Sequence, residues 1–507
     1  MNRRHFLQSL AALGSGVGFA APASARPAAA ADFAAAVASQ PLLTPFKGVT
    51  DATGERFTEC LATRGRWPQS LSGRFYRNGP ALYERNGELY RHWFDGDGMV
   101  QQFTLAGGHR ADHITHRGRL VRTAKLQSEA KAGRFLMNTF GTAIPGGPPG
   151  TSPDSFDPAN TNALEHAGRV LTMWEGGSAY GVDPRDLSTQ SSVVWRDDLA
   201  QVPFSAHPKL DPQGHLWNIG TSGPRIVAWH IDPLGALARV LVGEFPYAGG
   251  LVHDMAVTER YLVVPLPPVQ LNFNAPAGDG PRRFALQAGQ PLRVLVIDKA
   301  DIGKRRVFEL PPQAVFHVGN AHETADGEVV LSYVGAPDAW FLDVGAVALM
   351  KGQAATGGAS STFIARLNMA TGLASTQSLD DTVEFPRIDP RRIGLPARWL
   401  LSAASWTTEH RHGDALLHGL QLFDTQGGAV RRFDYGAHVV VEEHVMLPKP
   451  DGRGELDTWL LGTTFDSRAQ ATVLNLLDAA RIENGPVAQA SLPYVLPLGF
   501  HSNFTAV

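Results

Sequence analysis

One cysteine, Cys60, stands in the 507 residues, so no disulfide can form within the chain and no thiolate cluster can hold a metal. Any metal site must be built from histidine and carboxylate side chains. Charge of one sign is also lacking. The formal net charge is −3, with no basic stripe, which argues against a nucleic-acid partner. Beyond the first residues there is no apolar run of the roughly 20 residues that a spanning helix needs. Helical periodicity is scarce past residue 32. Phosphate-cradling glycine loops and a Gly-x-Ser-x-Gly elbow are missing. His322-Glu323 opens like a zincin motif but has no second histidine, and Asp95-Gly-Asp97-Gly breaks the calcium-loop pattern at its third acidic position and reads as a tight turn between strands.

What is present begins with a leader. Arg3-Arg4-His5-Phe6-Leu7, an apolar stretch from Leu10 to Ala21 and small residues Ala23-Ser24-Ala25 form a twin-arginine export signal. Residues 1–31 are therefore expected to be signal and leader, with cleavage near Ala25 or Ala31 and a periplasmic or secreted protein as the result. A membrane anchor is the weaker reading, because the run is short and carries glycines. Residues 32–507 are expected to form one domain.

Glycine (53) and proline (35) are abundant, and they punctuate short apolar or alternating runs. Such runs lie at 74–76, 100–105, 170–174, 216–219, 226–230, 261–265, 292–297, 329–334, 362–367, 399–402, 417–423, 439–447, 459–463 and 472–477. The pattern is that of many-stranded antiparallel β structure. A recurring unit, an apolar strand ending in a polar turn of the type Asp-Pro or Asp-x-x, appears at 181–187, 230–234, 297–302, 367–371 and 477–481. It favours a propeller, with a two-sheet sandwich or a barrel as the rival. Helices are expected only around 128–139 and 337–350, the second with Pro337 at its first position.

Of the 18 histidines, most sit in polar text. His410 and His412 lie in a charged loop, and His109, His113 and His116 are expected to be exposed. Four share another setting, where an apolar strand meets a turn: His207, His253, His317 and His501. Together they suggest one metal site with ligands from distant parts of a closed β structure, and imidazole donors suit iron, copper, zinc or nickel. A ligand imidazole needs its second ring nitrogen held, usually by a carboxylate. Glu175, Glu384 and Glu443 stand in otherwise apolar, strand-like text and fit that role. Glu442 and Glu443 alternate faces, so only one of them should point inward.

At this point the chain resembles the carotenoid cleavage oxygenases. Gly73-Arg-Phe-Tyr-Arg-Asn-Gly-Pro80 and Trp93-Phe-Asp-Gly-Asp-Gly-Met-Val100 look like that family's N-terminal signature. Asn160-Thr-Asn162, Trp174-Glu-Gly-Gly177 and Phe316-His-Val-Gly-Asn-Ala-His-Glu323 are similar to its glutamate- and histidine-bearing segments. Ser205-Ala-His-Pro208, Val252-His-Asp254, Glu384-Phe-Pro-Arg-Ile388 and Phe500-His501 fall in order, and the likeness runs from about residue 40 to the end. The resemblance implies an all-β, seven-bladed β-propeller with a loop-and-helix cap over an axial metal. It implies one Fe(II) per chain on His207, His253, His317 and His501, with Glu175, Glu384 and Glu443 hydrogen-bonded to three of them. It implies a dioxygenase that inserts O2 across a conjugated C=C bond of a carotenoid or apocarotenoid to give two carbonyl products, with no organic cofactor.

Departures from the family pattern are Ala81, Gln101 and Asp298-Lys299, none of them a proposed ligand. Stilbene-cleaving relatives tend to carry lysine before the first of the three glutamates. Here that residue is Trp174, which points to an apolar polyene rather than a phenolic stilbene. The alternatives are a stilbene-cleaving dioxygenase, an O2-independent isomerase or hydrolase on the same iron, and a propeller that only binds an apolar ligand. A polyene substrate calls for a lipid-facing mouth. The apolar segment Trp340-Phe341-Leu342 through Val347-Ala348-Leu349-Met350 is the candidate membrane contact, with an ordinary packed helix as the other reading.

Overall fold

A computed structural model describes residues 28–50, 54–148, 150–222, 224–244, 251–271, 284–353, 359–379, 382–406 and 416–507. His410 and His412, and all but the last four residues of the leader, lie outside them.

Every run singled out above as a strand coincides with one, and the strands assemble into seven antiparallel sheets of four or five strands among the described residues. Each sheet is one blade of a β-propeller. Six blades follow one another in sequence. Counting each from its innermost strand, blade 2 spans residues 162–192, blade 3 spans 209–244, blade 4 spans 256–310, blade 5 spans 314–378, blade 6 spans 382–434 and blade 7 spans 439–491. Blade 1 is composite. Its outer strands Arg56–Thr58, Ile114–Leu120, Asp97–Leu105 and Gly73–Leu82 come from the start of the chain, and its innermost strand, His501–Ala506, comes from the end. Blade 7 in turn takes its outermost strand, Ala62–Gly65, from the start. Two stretches more than 400 residues apart in sequence thus close the ring, and no sheet edge faces the gap where the chain begins and ends.

The recurring Asp-bearing unit has a single structural meaning. In blades 2, 3, 4, 5 and 7 it is the turn between the third and fourth strands, at the blade's outer rim. The side chain at its head accepts a backbone N–H two residues on: Asp183 from Arg185, Asp232 from Leu234, Asp298 from Ala300, Asn368 from Ala370 and Asp478 from Ala480. Such side-chain turns satisfy backbone donors that a tight connection leaves open.

Both faces of a blade are covered by its neighbours, which corrects one expectation. His116 is not exposed. It is fully buried in the strand Ile114–Leu120, with Nε2 3.0 Å from Gln101 Oε1 and Nδ1 2.9 Å from the Tyr494 hydroxyl. Burial pushes its pKa down to about 3. A polar run at a surface strand would alternate inward and outward, but here the inward position found partners within the blade and at its neighbour.

Helices are few. Ala30–Ala38, which the sequence did not announce, buries Phe33 and Val37. The first expected helix lies at Ala124–Ala132, earlier than 128–139. Thr123 caps it by accepting the Leu126 N–H, and Gly133, left-handed at φ +65°, ends it. The second begins at residue 340, so Pro337 precedes it rather than opening it, and it runs as a π-helical turn, Phe341–Gly345, into Ala346–Leu349. Its apolar side chains are buried or half-buried against Phe33, Val37, Phe46 and Trp93. That is the ordinary packed helix rather than an exposed patch. No helix among the described residues is long and apolar enough to cross a membrane.

Asp95 and Asp97 stand at the expected turn between strands, Glu88–Leu89 and Asp97–Leu105, and are buried anchors there. Asp95 accepts from Gly141 N–H and the Thr142 hydroxyl, and Asp97 pairs with Arg85 at 2.7 Å and Lys125 at 2.8 Å. Lys125 also meets Glu129, at 3.2 Å. Burial alone would lower the Lys125 pKa, yet Asp97 and Glu129 outweigh it and hold the ammonium above its ordinary value. Asp97→Ala leaves two buried cations, Arg85 and Lys125, to share Glu129. It is expected to destabilise the protein by about 3–5 kcal/mol, read from chemical denaturation, whereas a loss below about 1 kcal/mol would show that the cluster is not anchoring the helix.

Candidate metal centre

His207, His253, His317 and His501 meet on the propeller axis. One ring nitrogen of each lies within 4.8 Å of all the others, and all four side chains are buried. The Nε2 atoms of His207 and His501 are 2.9 Å apart and those of His253 and His317 are 3.3 Å apart. These separations suit a common metal ion, because donors at about 2.0–2.1 Å from a centre and at right angles to each other stand about 3 Å apart.

The blades divide the site evenly. His501 opens the innermost strand of blade 1, His207 and His253 precede the innermost strands of blades 3 and 4, and His317 lies within that of blade 5. Glu384 and Glu443 lie within the innermost strands of blades 6 and 7, and Glu175 follows the second strand of blade 2. Each of the seven blades supplies one residue.

Bulges aim three of them. The pairing register shifts between Val315 and Val318, between Glu384 and Arg387, and between Val441 and His444. An extra residue in one strand locally breaks alternation and re-aims side chains. Phe385, directly after Glu384, sits in the left-handed region at φ +58°, which is uncommon for a bulky residue. The bulge also corrects the expectation for Glu442 and Glu443, since both are buried. Only Glu443 reaches the histidines. Glu442 faces Arg77, the Thr463 hydroxyl at 2.6 Å and the Gly499 N–H at 2.5 Å.

The carboxylates hold the outward ring nitrogens. Glu175 Oε1 lies 2.7 Å from His253 Nδ1, Glu384 pairs with His317 Nδ1, and Glu443 Oε1 is 3.1 Å from His501 Nδ1. The hydrogen bonds of Glu384 and Glu443 fix a tautomer in which Nδ1–H donates outward and Nε2 offers its lone pair inward, while Glu175 stands within ion-pair distance of His253 Nδ1. His207 has no such partner among the described residues, and its Nδ1 is buried unpaired.

The electrostatics follow from burial and these pairs. Burial holds His207 well below the usual imidazole range, with the other three histidines adding to it. Burial also pushes His501 down to about 4 against the pull of Glu443. For His317 the balance reverses: Glu384 outweighs burial and raises it. Burial would raise the Glu443 pKa, but Arg387 and His501 bring it down to about 2, and His253 likewise keeps Glu175 low. Glu175 and Glu443 are thus held ionised and His207 and His501 neutral, the state a metal ligand requires.

Two residues of this network carried no role in the sequence reading. Arg387 grips both oxygens of Glu443 at 2.8 Å and donates to the Ser502 carbonyl at 2.7 Å. Asp254 accepts the Val318 N–H at 2.8 Å and pairs with Lys209 at 2.8 Å, tying the His253 segment to the His317 strand. The only available signal was a charged residue inside apolar text next to a candidate ligand.

Two cavities reach the centre. One is apolar, walled by Trp93, Phe94, Phe140, Phe316, Phe341 and Leu342, and opens onto His253, His317 and His501. Among the described residues no lysine, arginine or tyrosine lines it. The other is more polar, includes Lys209, Asp254 and Arg387, and touches His207, His317 and His501.

Comparison with known proteins places this geometry. The model of the retinal pigment epithelial membrane protein family matches residues 47–506. The chain is 28% identical to an apocarotenoid-15,15'-oxygenase of Synechocystis over 87% of its own length and 91% of that protein's. It is 26% identical to a lignostilbene-alpha,beta-dioxygenase, isozyme III, of Sphingomonas paucimobilis, over 88% and 93%. Among solved structures, a cobalt-substituted Synechocystis apocarotenoid oxygenase superposes with a TM-score of 0.80 at 25% identity, covering 92% of this chain and 99% of that one. A Pseudomonas brassicacearum lignostilbene dioxygenase shares the fold, with a TM-score of 0.78 at 23% identity over 90% and 98%. The chain belongs to the retinal pigment epithelial membrane protein family, that of the carotenoid cleavage oxygenases.

Proposed function

We propose that the protein is a non-haem Fe(II) dioxygenase that cleaves a conjugated C=C bond of a carotenoid or apocarotenoid with O2, giving two carbonyl products. The reading rests above all on the apolar cavity that opens onto the four histidines without a cationic or phenolic side chain in its wall. Polar side chains such as Asn160, Thr161, Asp338, Ser360 and Thr382 do line parts of the wall, but its aromatic and aliphatic surface is what a polyene needs. Trp174, in that wall, stands where stilbene-cleaving relatives tend to carry lysine.

Fe(II) would be held by His207, His253, His317 and His501, one ion per chain, and would supply the redox chemistry with O2. Neutral imidazoles leave such an ion its full charge. Glu175, Glu384 and Glu443 orient three of the rings, and Arg387 locks Glu443 in turn. Glu384 also accepts the Phe385 N–H at 2.8 Å, so this carboxylate is engaged and is not a free general base. The aromatic walls orient the polyene and exclude water from the reacting bond.

We also propose export through the twin-arginine signal, with cleavage near Ala25. Cutting there keeps Ala28–Ala29, which pair with Glu88–Leu89, and leaves the helix Ala30–Ala38 whole. Amino-terminal sequencing of the exported protein is expected to begin close after Ala25. A start after Ala31 would contradict this.

His253→Ala and His317→Ala are each expected to abolish iron retention after anaerobic reconstitution, measured by elemental analysis. A variant that keeps one equivalent of iron and full turnover would remove that histidine from the site. Glu384→Gln is expected to weaken iron affinity or turnover about 10–100-fold. Labelled O2 should enter both products from an apocarotenoid. Product without label would favour an isomerase or hydrolase, and cleavage of a stilbene but no apocarotenoid would reverse the substrate assignment.

A further inference from the structure

His92 lies outside the metal centre and is almost fully buried, at 1% exposure. Its two ring nitrogens tie together two segments that wall the apolar cavity. Nδ1 accepts the Phe94 N–H at 3.0 Å, which leaves the proton on Nε2, and Nε2 donates to the Leu342 carbonyl at 2.7 Å. Phe94 and Leu342 both line the cavity.

A third segment is drawn in beside them. The His92 ring meets Phe140 edge-on at 5.2 Å between centroids. The adjoining Gly141 has room for no side chain, since a Cβ there would sit 2.0 Å from His92 Cβ. Asp95, three residues on, accepts from Gly141 and Thr142 at 2.7 and 2.6 Å. The rings of Phe140 and Phe341 stand 5.7 and 6.2 Å from that of Phe94, so the three segments present one continuous aromatic wall.

The carbonyl that His92 grips belongs to an unusual piece of backbone. Leu342 lies in the π-helical turn Phe341–Gly345, a rare form that occurs mostly as single turns at functional sites. Such a turn depends on its surroundings to persist. The buried His92 ring holds one of its carbonyls against the Phe94 segment.

We propose that His92 is a positioning residue for substrate selection. By holding Leu342 and Phe94 at fixed separation it sets the shape of the cavity wall that a polyene chain must fit. It touches neither the four histidines nor their glutamates in any contact described above, so its effect falls on substrate binding and not on metal retention. The inference rests on the reading of this cavity as a polyene site.

The test uses the iron-loaded full chain and three variants, His92→Leu, His92→Asn and His92→Gln. Iron content is measured for each, and binding of a long and a short apocarotenal is followed by quenching of tryptophan fluorescence, alongside KM and kcat. Asparagine can still accept from Phe94 but cannot reach Leu342, and glutamine can present a donor near the Nε2 position. His92→Leu and His92→Asn are expected to weaken binding of the better-bound apocarotenal about tenfold and to change the long-to-short preference, with KM rising more than kcat falls and iron content unchanged. His92→Gln is expected to recover part of the loss. The proposal is overturned if His92→Leu and His92→Asn bind both compounds as the parent does, if His92→Gln recovers nothing, or if iron is lost in step with binding. Should His92→Leu not fold, His92→Asn against His92→Gln decides by the same criteria. A parent protein that binds neither apocarotenal would sink the polyene reading itself, whereas intact binding in the parent and in all variants sinks only the role of His92.

Discussion

Everything at the centre of this molecule depends on buried imidazoles aimed at one point by buried carboxylates. Neither group is stable there alone. A lone carboxylate in an apolar interior carries a large desolvation cost, and neutral imidazoles converging lone pair to lone pair have no reason to remain so placed. Each Glu–His pair removes one difficulty and creates the other: it satisfies the acid, fixes the tautomer and leaves an inward lone pair in want of a cation. The geometry is therefore that of a site suited to a positive ion. His207, whose outward nitrogen is unpaired, is the one ligand candidate that this system does not orient, and its ring is held by packing with the others.

A propeller is well suited to this task because its innermost strands converge on one axis. Here the sevenfold arrangement is used completely, with four blades giving histidine and three giving glutamate. Inner strands run nearly along the axis, so an alternating side chain would point between blades and not at the axis. The bulges in blades 5, 6 and 7 supply the missing rotation. They sit where the functional residues sit, and the positive φ of Phe385 is strain kept at the same place. In blades 3 and 4 the histidine stands in the loop just before the inner strand, where no bulge is needed.

Much of this was legible in the sequence, and the limits are instructive. Strands announced themselves through glycine and proline punctuation, and the rim turns through aspartate at the head of each connection. The four histidines stood apart by their setting between an apolar strand and a turn, and Glu175, Glu384 and Glu443 by an acid in apolar text. Alternation then misled at Glu442, because a bulge cannot be seen from side-chain period. Local polarity misled at His116, whose partners Gln101 and Tyr494 are supplied by another strand and by a segment nearly 400 residues away. The helix Ala30–Ala38 escaped notice because a stretch so rich in alanine has little periodicity to read. Arg387 and Asp254 could not be given roles, since what they do lies in contacts between blades.

The strand that closes the ring is also the strand that begins with His501. Ring closure and completion of the histidine set are consequently one event. Removal of this strand would take away the partner of Gly73–Leu82 and one of the four histidines together. The fold and the site therefore share one dependence, on the pairing of His501–Ala506 with Gly73–Leu82.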